Sequence, residues 1–219
     1  MTRPTLVASV ALGLIFASVA QAVVLSHTGA ELATDQTITF PTVQPTILDD
    51  SAIFGAGAGS DILFSIPLVP AEALGERKFR IVVSLNMTRL AGDTDPFFAL
   101  GDGMRYAGVN IFNNQSGGVG YVQGPITGTS GPLGMTEVLF VGAGFPEIGE
   151  AYDVDLVFRF EGYRLTVEIT FRGQTATYSS DYLDPTKALS LMLIRDNEGS
   201  EEYQLNSIRI QNPRAVAAP

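Results

Sequence analysis

Between Tyr163 and Arg172 the chain reads YRLTVEITFR, with apolar and polar residues in strict alternation. Successive side chains of an extended strand point to opposite faces. Tyr163, Leu165, Val167, Ile169 and Phe171 therefore share one face, and Arg164, Thr166, Glu168, Thr170 and Arg172 share the other. A segment of this kind fits an antiparallel sheet with one buried and one solvated side. Before it, YDVDLVFRF sets Leu156, Phe158 and Phe160 against Asp155, Val157 and Arg159, and Glu161-Gly162 supplies a tight reversal. After it, Arg172-Gly173 turns the chain into QTATYS and completes a three-stranded meander.

The same period recurs at Phe79, Ile81, Val83, Leu85 and Met87, whose alternates Arg80, Ser84, Asn86 and Thr88 are polar. Further strands are expected in QTITF, DILFSI, PFFAL, MRYAGVNIF, TEVLFVG, ALSLMLI and YQLNSIRIQ, separated by clusters of Gly, Pro, Asn and Asp. With 23 glycines and almost no helical periodicity, the pattern predicts an all-β fold, a two-sheet antiparallel β-sandwich of jelly-roll type. A closed barrel is the alternative. The one helical turn expected is PAEALGER, opened by Pro70 and broken by Gly75. FGAGAGSD lacks the lysine and the following helix of a phosphate-binding loop and reads as a flexible connection. No repeat of fixed period is present, so residues 23–212 are expected to form a single β-sandwich domain, with 213–219 a disordered C-terminal tail.

Residues 1–22 carry the marks of a signal peptide: Arg3, an uncharged apolar run from Leu6 to Val19, and Ala20-Gln21-Ala22 as an A-x-A exit. The apolar core is shorter than the about 20 residues needed to span a bilayer, and cleavage is expected after Ala22. The product is expected to be secreted, extracellular or periplasmic, with no membrane span. No cysteine is present, which removes disulfides, thiolate metal sites and cysteine nucleophiles and leans toward a bacterial source. Loss of Arg3 leaves 12 Lys and Arg against 23 Asp and Glu, a net of −11. Nucleic acid is accordingly not an expected partner, because phosphate binding runs on clustered Lys and Arg.

The order KFRIVVSLNMTR, FFALGDGMRYAGVNIF, YDVDLVFRFEGYRLTVEITFRGQTATY, ALSLMLIRD and YQLNSIRIQ resembles the concanavalin A-like lectin and glucanase superfamily, in particular its laminin-G-like branch. The resemblance covers most of the mature chain. It implies a curved sheet preceded by an Asp-Gly turn, and a closing strand of Y-x-L-x-S-I-x-I type that pairs near the start. It carries no invariant catalytic motif, so it bears on fold more than on function.

Glycoside hydrolysis, which that superfamily suggests, needs two carboxylates facing each other across the substrate. Glucanases of this fold carry a Glu-x-Asp-x-x-Glu run. EIGEAYDVD has its acids at other intervals, with a glycine between. The single histidine, His27, reads as an exposed residue near the mature terminus and rules out a Ser-His-Asp relay or a multi-histidine metal site. Sugar binding is chemically open: Tyr106, Tyr121 and Tyr163 offer faces, and Asn110, Asn113 and Asn114 offer amides. Asn113 to Gly118 also has the composition of a plain turn, and the absence of tryptophan weighs against a stacking platform. Asn86-Met87-Thr88 and Asn114-Gln115-Ser116 match the glycosylation sequon.

Asp102-Gly103 between FFAL and MRYAGVNIF predicts a type I′ hairpin. Asp93, Asp95 and Asp102 are also turn formers, but three carboxylates so close together could gather calcium with loop carbonyls. Together these features favour a secreted non-catalytic β-sandwich that binds an extracellular glycan or matrix component, with Tyr106, Asn110, Asn113 and Asn114 as ligand residues. The alternative is a structural cell-envelope, matrix or filament protein acting by self-association through exposed strand edges. A secreted glycoside hydrolase comes third.

Overall fold

The computed structural model describes residues 23–55, 62–69, 79–92, 96–113, 116–126, 135–195 and 202–212. Its elements run β1 (Val23–Thr28), α1 (Gly29–Thr34), β2 (Thr46–Leu48), β3 (Ser51–Phe54), β4 (Ile62–Val69), β5 (Phe79–Ala91), β6 (Phe97–Gly101) and β7 (Arg105–Phe112). They continue with β8 (Gly118–Pro125), β9 (Met135–Val141), β10 (Ala151–Glu161), β11 (Arg164–Phe171), β12 (Gln174–Ser180), β13 (Leu189–Ile194) and β14 (Glu202–Asn212). PAEALGER and the FGAGAGSD connection lie almost wholly outside the described residues, as do residues 1–22 and 213–219. Among the described residues no helix is long and apolar enough to cross a membrane.

The strands form two antiparallel sheets, not a closed barrel. One has eight strands in the order β12-β11-β10-β5-β14-β3-β2, with β1 also on β14; the other has six in the order β4-β13-β6-β7-β8-β9. Because β5 pairs with β14 from Glu202 to Gln211, the short β3 and the terminal β1 share the opposite edge of β14 end to end. The closing strand thus pairs with the first strand, as the resemblance implied.

Alternation builds the inner face of the eight-stranded sheet. Leu165, Val167, Ile169 and Phe171 are buried, as are Leu156, Phe158 and Phe160 opposite them and Ile81, Val83, Leu85 and Met87 on β5. Tyr163 departs from the sequence reading: it is 62% exposed. Glu161 pairs directly with Arg164, so the turn is Gly162-Tyr163 and not Glu161-Gly162, and Tyr163 sits at its tip. At the next reversal Phe171 pairs with Gln174, and both Arg172 (φ 48°) and Gly173 (φ 77°) adopt positive φ, as a type I′ turn requires.

The six-stranded sheet behaves differently. β6 and β8 are buried almost throughout, and from Tyr106 onward so is β7. Leu100, Ala107, Val109, Ile111, Val119, Tyr121, Leu191 and Leu193 join the central core. Their alternates Phe97, Ala99, Tyr106, Val122, Met192 and Ile194 form a second buried cluster with Ile62 on the other face. Two-sided burial explains the continuous apolar runs of FFAL and LSLMLI, which carry no alternation.

One helix was not expected. Thr28 caps α1: its hydroxyl accepts from Glu31 N at 3.2 Å while the Glu31 carboxylate accepts from Thr28 N at 2.8 Å, a reciprocal capping box. α1 buries Leu32 and packs its first residue, Gly29, against the β3–β14 pair.

Candidate functional site

The residues expected to bind ligand do not come together. Tyr106 is fully buried within the outward cluster of the six-stranded sheet and Asn110 is 3% exposed on the same strand, so neither faces a ligand at the surface. Asn113 is exposed beyond the end of β7, and Asn114 lies outside the described residues. The nearby Ser116 and Gly117 carbonyls accept from Gly144 N at 2.9 Å and Gly142 N at 2.7 Å, fastening this turn to the following loop. Tyr121 is no platform either. It is buried and stacks on Tyr178 at 4.0 Å between centroids, and burial pushes its hydroxyl up to about 12.

Asp102 has a structural role in place of the expected metal one. It is 4% exposed. Its Oδ1 accepts from Met104 N at 3.0 Å and Arg105 N at 2.8 Å; its Oδ2 meets the Arg105 guanidinium at 3.1 Å and accepts from Asp184 N at 3.0 Å. Both oxygens are committed and a cation already stands beside them, which leaves no ligand position for calcium. Burial, the largest influence, raises the carboxyl's pKa, but the amides of Asp184, Met104 and Arg105 together with the Arg105 charge hold it below the ordinary value. The hairpin here is offset by one residue. Gly101 pairs with Tyr106 and only Gly103 carries positive φ, at 85°, so the turn has the type II′ pattern and not type I′. Asp93 and Asp95 lie outside the described residues. Among the described residues no group of three His, Cys, Asp or Glu side chains could hold a metal.

His27 is not the exposed residue expected. Its Nε2 lies 2.9 Å from Asp35 Oδ2 and its side chain is half-buried beside α1. The Thr37 hydroxyl and amide, with His27, hold the Asp35 carboxyl below its ordinary value.

The outward face of the eight-stranded sheet is where polar side chains do converge. A groove of about 320 Å³ is lined by Ser26, Ser84, Leu85, Asn86, Asp153, Asp155, Ser207, Ile208 and Arg209. Strand register assembles it. Asp155, Ser84, Arg209 and Ser26 fall in one row across β10, β5, β14 and β1, and Asp153, Asn86 and Ser207 in the next. The Ser84 hydroxyl donates to Asp155 Oδ1 at 2.6 Å, and Asn86 Nδ2 donates to Asp153 Oδ1 at 2.7 Å. Neighbouring strands are about 4.8 Å apart, so Asp155 and Arg209 stand about 10 Å from each other across Ser84.

A β-bulge shapes one wall. The β14–β5 register shifts between Leu205 and Ser207, leaving Asn206 as the extra residue opposite Asn86. Asn206 Nδ2 donates to Asn86 Oδ1 at 2.8 Å and to Thr88 Oγ1 at 3.0 Å, and its Oδ1 accepts from Gln204 Nε2 at 2.7 Å. Asn86 is thereby held from both sides. It lies in a sequon, but its amide is already engaged.

No family model matches the sequence, and no curated protein is similar to it in sequence. Solved structures do match in shape. A basic winged bean lectin with Tn-antigen superposes with a TM-score of 0.52 at 9% identity, covering 88% of this chain and 98% of the lectin. The alginate lyase Aly36B gives 0.50 at 10% identity over 88% of this chain and 98% of its own. The chain has the concanavalin A-like lectin fold, a two-sheet antiparallel β-sandwich.

Proposed function

We propose that this is an exported, non-catalytic β-sandwich that binds an extracellular glycan or matrix component through the outward face of its eight-stranded sheet. The observation that carries the proposal is the groove in which Asp153, Asp155, Asn86, Arg209 and three serine hydroxyls converge. Sugar hydroxyls both donate and accept. Carboxylates accept from them, the guanidinium donates and the serine hydroxyls can do either, and hydrogen bonds to charged groups are the stronger kind. The fold itself does not decide between binding and catalysis, since its neighbours include a lectin and an alginate lyase. The surroundings of Asp153 and Asp155 favour binding. Both are exposed, and neither has the apolar pocket that keeps a general acid protonated.

A glycan array should return selective binding. Asp155→Ala should weaken it by about tenfold or more, the loss expected for a hydrogen bond to a charged group, with the circular-dichroism melting curve near that of the parent. An array without hits, or equal affinity of the variant, would count against the groove.

Export rests on Arg3, the apolar run to Val19 and Ala20-Gln21-Ala22. N-terminal sequencing of protein recovered outside the cytoplasm should begin at Val23; a product that keeps residues 1–22 refutes cleavage. The self-association alternative finds footing on two edge strands: β2, only three residues long with Ile47 and Leu48 exposed, and the longer β9, with Val138 and Val141 exposed. Two register shifts against β8 disturb the β9 edge, which is how sheet edges are commonly blunted, and the groove therefore stands ahead.

A further inference from the structure

We infer that two copies of this chain pair through β12 about a twofold axis, so that their eight-stranded sheets run on as one; this does not rest on the groove. β12 ends that sheet and pairs, among the described residues, only with β11. The two-residue turn at Arg172-Gly173 fixes which of its backbone groups are used. Phe171 and Gln174 close the hairpin as a hydrogen-bonded pair, and such pairs alternate with non-bonded ones along an antiparallel ladder. Gln174, Ala176, Tyr178 and Ser180 therefore turn their N–H and C=O groups toward β11. Those of Thr175, Thr177 and Ser179 point off the edge, where no described backbone group pairs with them.

The other sheet borders carry devices that keep strands from pairing edge to edge. β2 is three residues long and runs into Asp49-Asp50. β1 has α1 packed against it. β4 contains Pro67 and is flanked by Thr39, which exchanges backbone bonds of 3.1 and 2.9 Å with Ser65. β9 is bent by its two register shifts. β12 has none of these: its seven residues, QTATYSS, include no charge and no proline, and its register against β11 is unbroken. A regular, uncharged edge of this length is a template for a further strand.

The strand is complementary to itself. In antiparallel pairing centred on Thr177, Thr177 meets its own copy and Thr175 meets Ser179, so the free backbone groups face each other and the hydroxyl side chains form favourable cross-strand pairs. On the inner face Ala176 meets Tyr178, a small residue against a large one. Charge favours a second copy as the occupant. Two chains of formal net charge −10 repel wherever acids meet, and β12 brings none to the contact. The layer below takes part as well. β9 packs beneath β12, while Tyr178 stacks on Tyr121 of β8 and the Ser180 hydroxyl donates to Gln123 Oε1 at 2.9 Å, so both sheets end on the same side. The axis thus brings the exposed Val138 and Val141 of β9 toward their own copies and withdraws apolar surface from water. Such a contact uses the same patch on both partners and closes at two, which gives a dimer and not a filament.

Sedimentation equilibrium of the full mature chain should show monomer passing to dimer as concentration rises, with nothing larger. Thr177→Lys sets like charges opposite each other at the axis and should raise the dissociation constant about fivefold or more, with the melting transition of the parent retained. Ile47→Lys, a charge on the distant β2 edge, should leave the constant unchanged. The parent alone supplies a second readout through residue-resolved hydrogen exchange: the amides of Thr175, Thr177 and Ser179 should slow with concentration far more than those of Ala176 and Tyr178, which β11 already protects. A chain that stays monomeric at every concentration, or one that grows past the dimer, would overturn the inference. So would a dimer weakened by Ile47→Lys but not by Thr177→Lys, or uniform slowing along β12.

Discussion

Asp102→Ala is expected to destabilise the protein by about 2–4 kcal/mol at neutral pH, because a buried carboxylate that accepts three backbone amides is lost while the partly exposed Arg105 can turn to water. The carboxylate ties three pieces of chain together: the β6–β7 turn through Met104 N and Arg105 N, the β7 strand through the Arg105 guanidinium, and the connection after β12 through Asp184 N. Alanine leaves those amides without their acceptor, and it leaves the guanidinium over the Tyr182 ring, 5.4 Å from its centroid, without its counter-ion. Asp102→Asn should recover only part of the loss, since it keeps an acceptor for two amides but turns a donor toward Arg105. For a chain of this size the alanine cost corresponds to on the order of 10 °C in melting temperature. Because the folded carboxyl titrates below its ordinary value, its stabilisation is complete above about pH 4 and drains away as pH falls through the depressed folded value. Urea titrations across that range should therefore show a steeper acid-side loss in the parent than in Asp102→Ala. Equal stability of the two at neutral pH would mean that the network does not hold the turn.

Leu165, Val167, Ile169 and Phe171 were legible because a strand's period is two and one face is buried. Tyr163 continued the same alternation past the point where the strand ends. Composition does not set hairpin register, and a one-residue offset moves a side chain from core to turn tip. The type I′ expectation at Asp102-Gly103 failed by the same single-residue slip. In the six-stranded sheet, runs such as FFAL gave no face to choose, and Tyr106 and Asn110 were taken for surface residues although both lie in a two-sided apolar layer. The helix had its mark in the sequence, Thr28-x-x-Glu31, but six residues carry too little periodicity to register beside a strand.

The groove was half legible. Ser84, Asn86 and Asp155 stood out as polar alternates, and Asp153 falls on the same side of its strand. What no local pattern shows is that β10, β5, β14 and β1 lie side by side in a register that aligns Asp155, Ser84, Arg209 and Ser26. That alignment depends on pairing the first strand with the last, a contact between chain ends. The Asn206 bulge, which fixes Asn86, arises only where two particular strands meet with one residue to spare.

Gly29→Ala should separate local propensity from packing, because the two give opposite signs. Gly29 is the first residue of α1, and alanine is the better helix former there by up to about 1 kcal/mol. Its backbone, however, lies against β3 and β14 so closely that a methyl would overlap Leu205 O and Ala52 N. Those are backbone atoms inside a paired ladder, which no side-chain rotation can move aside. The expected result is destabilisation of about 3 kcal/mol or more, at or beyond the upper end of overpacking costs. Gly103→Ala is the useful comparison: its φ of 85° disfavours alanine, yet nothing lies within 4 Å of the added methyl, and a loss of about 1–2 kcal/mol is expected. Denaturant unfolding of both variants ranks them, and stabilisation by Gly29→Ala would show that α1 does not seat as described. The effect also reaches the groove. β1 runs directly into α1, and Ser26 on β1 ends the polar row beside Arg209. Hydrogen exchange in Gly29→Ala should accelerate first at Leu25 to Thr28, where a displaced α1 pulls the terminal strand away from β14 and shortens the surface offered to a ligand.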